Sequence, residues 1–165
     1  MKPTEWPVEL GRARLWLLEG SDGQSVDLLF DRIDDFDVAF WPRGSADAVG
    51  LFLNVPANKT ADDKLLVGIW DRASLIGVLD CIPQYPDDET WTLGMLAMSS
   101  ARRREGIGSQ VLAWLESEAA RNGGRLLQVK VRDQNLGGIR FLTRRGFSPT
   151  RTTTEDSTVL LKPIS

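Results

Sequence analysis

Between residues 91 and 122 the chain passes from an apolar run, Trp91 to Met98, through Arg102-Arg103-Arg104-Glu105-Gly106-Ile107-Gly108 into a segment with helical spacing. Ile107, Val111, Leu115 and Ala119 recur at intervals of four, which puts them on one helix face, and Asn122-Gly123-Gly124 supplies the C-terminal stop. A strand that turns through glycines into a helix leaves the first helical amides without internal acceptors, at the positive end of the helix dipole. Such a turn suits a pyrophosphate. Gly106 and Gly108 let the backbone approach a ligand closely, and Arg102, Arg103 and Arg104 add positive charge.

Taken alone, a Gly-x-Gly before a helix is equally a plain turn with an N-terminal cap. It is not the dinucleotide-binding fingerprint, because Val111 stands where the third glycine would be, and no Gly-Lys-Ser/Thr follows for a P-loop. The surrounding segments have to decide.

Upstream, Leu65 to Trp70 and Leu75 to Leu79 flank a turn at Asp71-Arg72-Ala73 and predict a β-hairpin, and Tyr85 to Glu89 makes a polar loop. Downstream, Leu126 to Val131 predicts a strand and Asn135 to Arg145 a helix that stops at Gly146; Phe147 to Thr154 and Thr158 to Leu161 predict a closing hairpin. In the first third, Arg14 to Leu18 predicts an opening strand. Ser25 is expected to cap a helix carrying Val26, Leu28, Leu29 and Ile33, and Ser45 a second one through Ala48, Leu51 and Phe52 that ends before Pro56. No repeat, linker or low-complexity tract divides the 165 residues, so one domain over 1–165 is expected.

Composition narrows the chemistry. A net charge of -3 argues against a general polyanion binder, so nucleic acid is not an expected partner. The apolar runs are too short to span a bilayer and the first residues hold no apolar signal core, which points to a cytoplasmic protein with no membrane partner. Cys81 is the single cysteine, read as a small buried apolar side chain, and histidine is absent. Ser-His and Cys-His nucleophile pairs and thiolate-rich metal sites are thereby excluded, and no metal is expected.

The order of strand Trp91 to Met98, Arg103-x-x-Gly106-x-Gly108, helix, strand Leu126 to Val131, Asn135 and Gly146-Phe147 resembles the GNAT superfamily of acyl-CoA N-acyltransferases. The likeness spans the C-terminal half, with Lys64 to Leu79 matching the preceding hairpin and residues 1–60 matching loosely. It implies a three-layer α/β/α fold with a central, mostly antiparallel mixed sheet, splayed to admit CoA. It further implies that Leu96, Ala97 and Met98 pair with the pantetheine arm, and that Arg103, Arg104, Glu105, Gly106, Ile107 and Gly108 hold the pyrophosphate. Ser109 would lie near the pyrophosphate and Asn135 near the pantetheine or its thiol. Acetyl-CoA is then the expected cosubstrate.

The Met98 amide, freed at such a splay, is placed to donate to the thioester oxygen as charge develops there. Leu142 follows Phe141 where many members of the superfamily carry a tyrosine that protonates the leaving thiolate. A thiolate of pKa about 8.5 leaves with less help than an alkoxide, so solvent can protonate it. Tyr85, the only tyrosine, precedes a proline and is read as a packing anchor.

An amine acceptor arrives as an ammonium and must lose a proton, so a carboxylate is expected near the open end of the splay. Asp80, at the end of an apolar strand, is the first candidate, with Glu89 and Asp87 after it; the competing reading makes them solvated loop charges. With Asp34, Asp35 and Asp37 they could form a negative mouth for cationic amines, against the plainer reading of an acidic surface. Of the six tryptophans, Trp41 beside a proline is the one singled out for function, the rest being read as core.

The expected activity is direct acetyl transfer from acetyl-CoA to a primary amine in a ternary complex. Small-molecule or peptide amines are the acceptors, and a homodimer stays open. The rival is a CoA-binding regulatory domain with little or no catalysis, supported by Leu142; a structural domain without cofactor ranks last.

Overall fold

In the computed structural model, which describes residues 1–34, 48–154 and 156–165, the apolar runs form strands and the four-residue repeats form helices. A hairpin of β1 (Val8–Leu10) and β2 (Ala13–Leu17) opens the chain, followed by α1 (Gly23–Asp31) and α2 (Ala48–Leu53). Then come β3 (Leu65–Asp71), β4 (Ser74–Ile82), β5 (Thr90–Met98), α3 (Ile107–Arg121) and β6 (Leu126–Arg132). Helix α4 (Leu136–Arg144) and strands β7 (Ser148–Thr153) and β8 (Ser157–Pro163) complete the described elements.

The strands lie in one eight-stranded sheet ordered β1-β2-β3-β4-β5-β6-β8-β7. Every neighbouring pair is antiparallel except β5 with β6. The mostly antiparallel mixed sheet expected from the sequence is therefore the one that forms. Its two faces bury separate cores because residues alternate across a strand. On one face Leu79, Leu93 and Val129 pack with Val111 and Leu115 of α3 and Leu142 of α4. On the other, Val78, Met95 and Ala97 pack with Val26, Leu29 and Phe30 of α1 and Leu51 of α2.

One local reading is corrected. Ser25 lies inside α1 and not at its cap, because a 3-10 turn at Gly20–Asp22 runs straight into the helix and makes Asp22 the N-cap. The closing hairpin doubles back, so that β8 and not β7 lies beside β6. Strand β1 escaped the sequence reading: at three residues it carries little pattern, and its pairing with β2 is a tertiary contact. The proposed cap at Ser45 falls outside the described residues.

One irregularity positions the site. Asp80 pairs with Met95 and Cys81 with Leu93, so Gly94 is an extra residue, a β-bulge in β5. Pairing of β5 with β6 runs from Thr90 opposite Leu126 to Leu93 opposite Val129 and ends where the bulge begins. Beyond it β6 continues with β8 as far as Arg132, and β5 continues with β4 as far as Met98. The two middle strands part.

Candidate active site

The parted strands enclose a cleft of about 620 Å³, walled by Leu93 to Leu96 and Met98 of β5, by Val129 to Arg132 of β6, and by Phe141 and Leu142 of α4, and closed at one end by the start of α3. The Ser99 amide bonds Ile76 O at 2.8 Å. In an antiparallel ladder alternate residues face the partner, so Ala97 and Met95 also turn their peptide groups toward β4. Leu96 and Met98 turn theirs away from β4, into the gap that β6 has vacated.

At that end, Arg104 (φ 65°) and Gly106 (φ 80°) both adopt the left-handed region. Glycine does so freely, whereas arginine holds it under strain, a feature that clusters at functional sites. The first bond within α3 runs from the Gln110 amide to Gly106 O, and no side chain caps the helix. The amides of Ile107, Gly108 and Ser109 therefore lack helical acceptors and face an anion-ready concavity. Helix α4 contrasts with this: Asn135 Oδ1 accepts the Gly138 amide at 2.9 Å and closes its end.

The charges agree with that polarity. Arg102, Arg103, Arg104, Lys130, Arg132, Arg144 and Arg145 line the cleft, and no carboxylate among the described residues does. Arg145 donates to Ser109 Oγ and lies over the Phe141 ring at 5.3 Å. Arg102 is turned outward: its Nε bonds Glu105 Oε2 and its guanidinium reaches Asp71 Oδ2, each at 2.9 Å. The hydrogen bond from Arg102 holds Glu105 below the usual carboxylate range.

Of the residues expected at the cofactor, Leu96, Met98, Arg103, Arg104, Gly106, Ile107, Gly108, Ser109 and Asn135 all line this one cleft. Two do not. Ala97 packs its side chain into the α1 face and its amide toward β4, and Glu105 is drawn to Arg102. Leu142 forms part of the wall as expected, and Tyr85 stays outside it, its carbonyl accepting from Thr92 Oγ1.

Among the expected acids, Asp80 is the one at the splay. Its side chain is 10% exposed and its Oδ2 lies 3.0 Å from Lys64 Nζ, while Oδ1 is buried without a hydrogen-bond partner among the described residues. A Cβ on Gly94 would come 3.0 Å from that Oδ2, so a larger residue would crowd the carboxylate beside the exposed Gly94 backbone that lines the cleft. Burial raises the Asp80 pKa, and Lys64 opposes the rise. Glu89 is exposed at the opposite end of β5, paired with Arg125 at 3.3 Å, and Asp87 shares its loop. Both are remote from the cleft lining. Asp34 is outside the cleft lining, its amide bonded to Ser100 Oγ; Asp35, Asp37 and Trp41 are outside the described residues.

The tryptophans are largely packing residues. Trp91 is fully buried, and Trp6 and Trp114 meet with ring centroids 5.7 Å apart. Sequence reasoning passed over Lys64, Lys130, Arg132, Arg144 and Arg145. The alternation Gln128, Lys130, Arg132 along β6 was the available signal.

A model of the acetyltransferase (GNAT) family matches residues 27–147. Among solved structures, the GNAT domain of S. lividans PAT has a TM-score of 0.77 at 16% identity, covering 99% of this chain and 100% of that one. The ribosomal-protein-S18-alanine N-acetyltransferase from Escherichia coli gives 0.70 at 18%, covering 93% and 94%. PaiA N-acetyltransferase from Thermoplasma acidophilum, solved in complex with coenzyme A, gives 0.69 at 14%, covering 92% and 98%. No curated protein matches the sequence closely enough to count as a relative.

Proposed function

Because the chain belongs to the acetyltransferase (GNAT) family, we propose that it moves an acetyl group from acetyl-CoA directly to a primary amine, with both substrates held in the cleft between β5 and β6. The parting of those strands over a cavity that ends at the uncapped start of α3 carries this reading. The donor set fits a CoA thioester: cations and free amides at one end, unpaired strand backbone in the middle, apolar walls throughout.

Acetyl-CoA supplies an activated acyl group and a thiol leaving group. The amides from Arg103 to Ser109 hold its pyrophosphate, with Arg103 and Arg104 adding charge. Leu96 and Met98 pair with the pantetheine arm, beside Asn135. The Met98 amide also donates toward the thioester oxygen as charge builds there; such donors are each worth about 10²–10³ in rate.

Asp80, behind the Gly94 bulge, accepts the proton of the arriving ammonium, directly or through one water. Burial makes it more basic than an ordinary carboxylate, which suits the task. Cys81 is unsuited to carry the acyl group, since burial and the adjacent Asp80 push its thiol well above the usual range. Direct transfer follows. No hydroxyl stands at Leu142, so solvent protonates the departing thiolate.

Thermal unfolding with acetyl-CoA tests the binding: ligand at about 100 times its dissociation constant adds roughly 2.7 kcal/mol. Thiol release across a panel of amines tests the transfer. A stabilising shift with no thiol release from any amine would leave a CoA-binding domain and refute the enzyme reading.

A further inference from the structure

The cations of the cleft fall on two sides of the sheet. Leu127, Val129 and Val131 of β6 pack in the core that contains α3 and α4. Alternation along the strand sends Gln128, Lys130 and Arg132 to the other face, the one on which Met95 and Ala97 of β5 meet α1. Arg144 ends α4 and Arg145 follows it, and Arg103 and Arg104 precede α3, so these four stand on the phosphate side. Lys130 and Arg132 line the same cleft from the opposite face.

That opposite face also presents Asp80, which pairs across β4 and β5 with Met95. At its floor Gln128 Nε2 donates to Thr92 Oγ1 at 3.3 Å, one bonded layer inside the point where the strands part. Lys130 is exposed and has no ion-pair partner among the described residues. Arg132 stands two residues further along, about 7 Å away for extended backbone, and its guanidinium is 3.8 Å from the exposed Asp156. The acceptor side of the cleft thus has two cations in its lining, Lys130 and Arg132, and one buried carboxylate behind Gly94, outside the lining and paired with Lys64.

A polyamine or other purely cationic acceptor meets repulsion from Lys130 and Arg132 at this entrance. A zwitterion offsets it, because its anion meets the two cations while its ammonium lies toward Gly94, with Asp80 behind it. We propose that the acceptor is a small amine bearing an anionic group, in the manner of an amino acid, and that Lys130, with Arg132, selects it by that anion. This rests on the transfer reaction proposed above.

The test uses acceptor pairs that differ only in the anion: amino acids against their decarboxylated amines, and phosphoethanolamine against ethanolamine. The anionic member is expected to react with at least about tenfold higher kcat/KM, the scale of one charge-assisted hydrogen bond. Which pair shows the larger ratio identifies carboxylate or phosphate as the anion. In Lys130→Met that ratio should fall about tenfold while the KM for acetyl-CoA holds. Equal or better use of the decarboxylated amine by the unmodified enzyme overturns the proposal. So does a Lys130→Met variant that raises the KM for acetyl-CoA and leaves the acceptor ratio intact, since Lys130 would then serve a phosphate. If acetyl-CoA binds and no amine of any kind is acetylated, the transfer reading fails first and takes this inference with it.

Discussion

Lys64 Nζ lies 3.0 Å from Asp80 Oδ2 and donates to Leu51 O at 2.5 Å, with the two side chains 2% and 10% exposed. One ammonium thus fastens the end of α2 and the start of β3 to the bulge at the splay. Breaking a buried pair from one side typically costs about 3–5 kcal/mol, because the remaining group stays desolvated without its partner. Lys64→Met should therefore lower stability by about that amount in denaturant unfolding. The double variant Lys64→Met/Asp80→Leu should recover most of it. A single substitution as benign as the double would show that the pair contributes nothing.

The same pair sets a pH dependence. In the proposed reaction Asp80 must be ionised to accept the substrate proton, and its pKa is raised by burial, with Lys64 pulling the other way. The acid limb of kcat/KM should therefore lie above the usual carboxylate range, with activity falling as pH drops through it. Asp80→Asn should remove this limb and slow turnover by about 10²–10⁴. A limb unchanged in Asp80→Asn would assign the proton to another group.

Gly108 stands in the first turn of α3, and a Cβ there would meet nothing closer than Phe141 Cζ at 3.8 Å. Gly108→Val should thus fold normally, helped by a better helix propensity. The branched side chain would fill the space above the free amides, so the dissociation constant for acetyl-CoA should rise at least about tenfold, more than 1.4 kcal/mol. Calorimetric titration checks this, and unchanged affinity would move the pyrophosphate elsewhere.

Leu142 is buried in the cleft wall. Leu142→Tyr puts a proton donor there at a packing cost of about 1–3 kcal/mol. If thiolate departure limits turnover, kcat should rise while acetyl-CoA affinity holds. A drop in affinity would instead place Leu142 against the bound arm.

Much of this molecule was legible in its sequence, for local reasons. The strand, glycine turn and amphipathic helix from Trp91 to Arg121 are set by period and by glycine placement, and the residues from Arg103 to Ser109 were marked by them. The absence of histidine excluded the usual acyl-enzyme chemistry from composition alone. Tertiary structure decided the rest. Whether Ala97 or Leu96 faces the gap depends on which residues of β5 bond to β4, and that register is fixed by a partner strand. Whether Arg102 serves a phosphate or a carboxylate depends on Asp71 lying beside it, thirty-one residues away in the chain. Asp80 was a candidate by position, but its burial, its ion pair with Lys64 and its place behind Gly94 arise only when α2, β4 and β5 meet. Periodicity specifies the elements because it acts between near neighbours, whereas register and charge pairing join residues far apart in sequence.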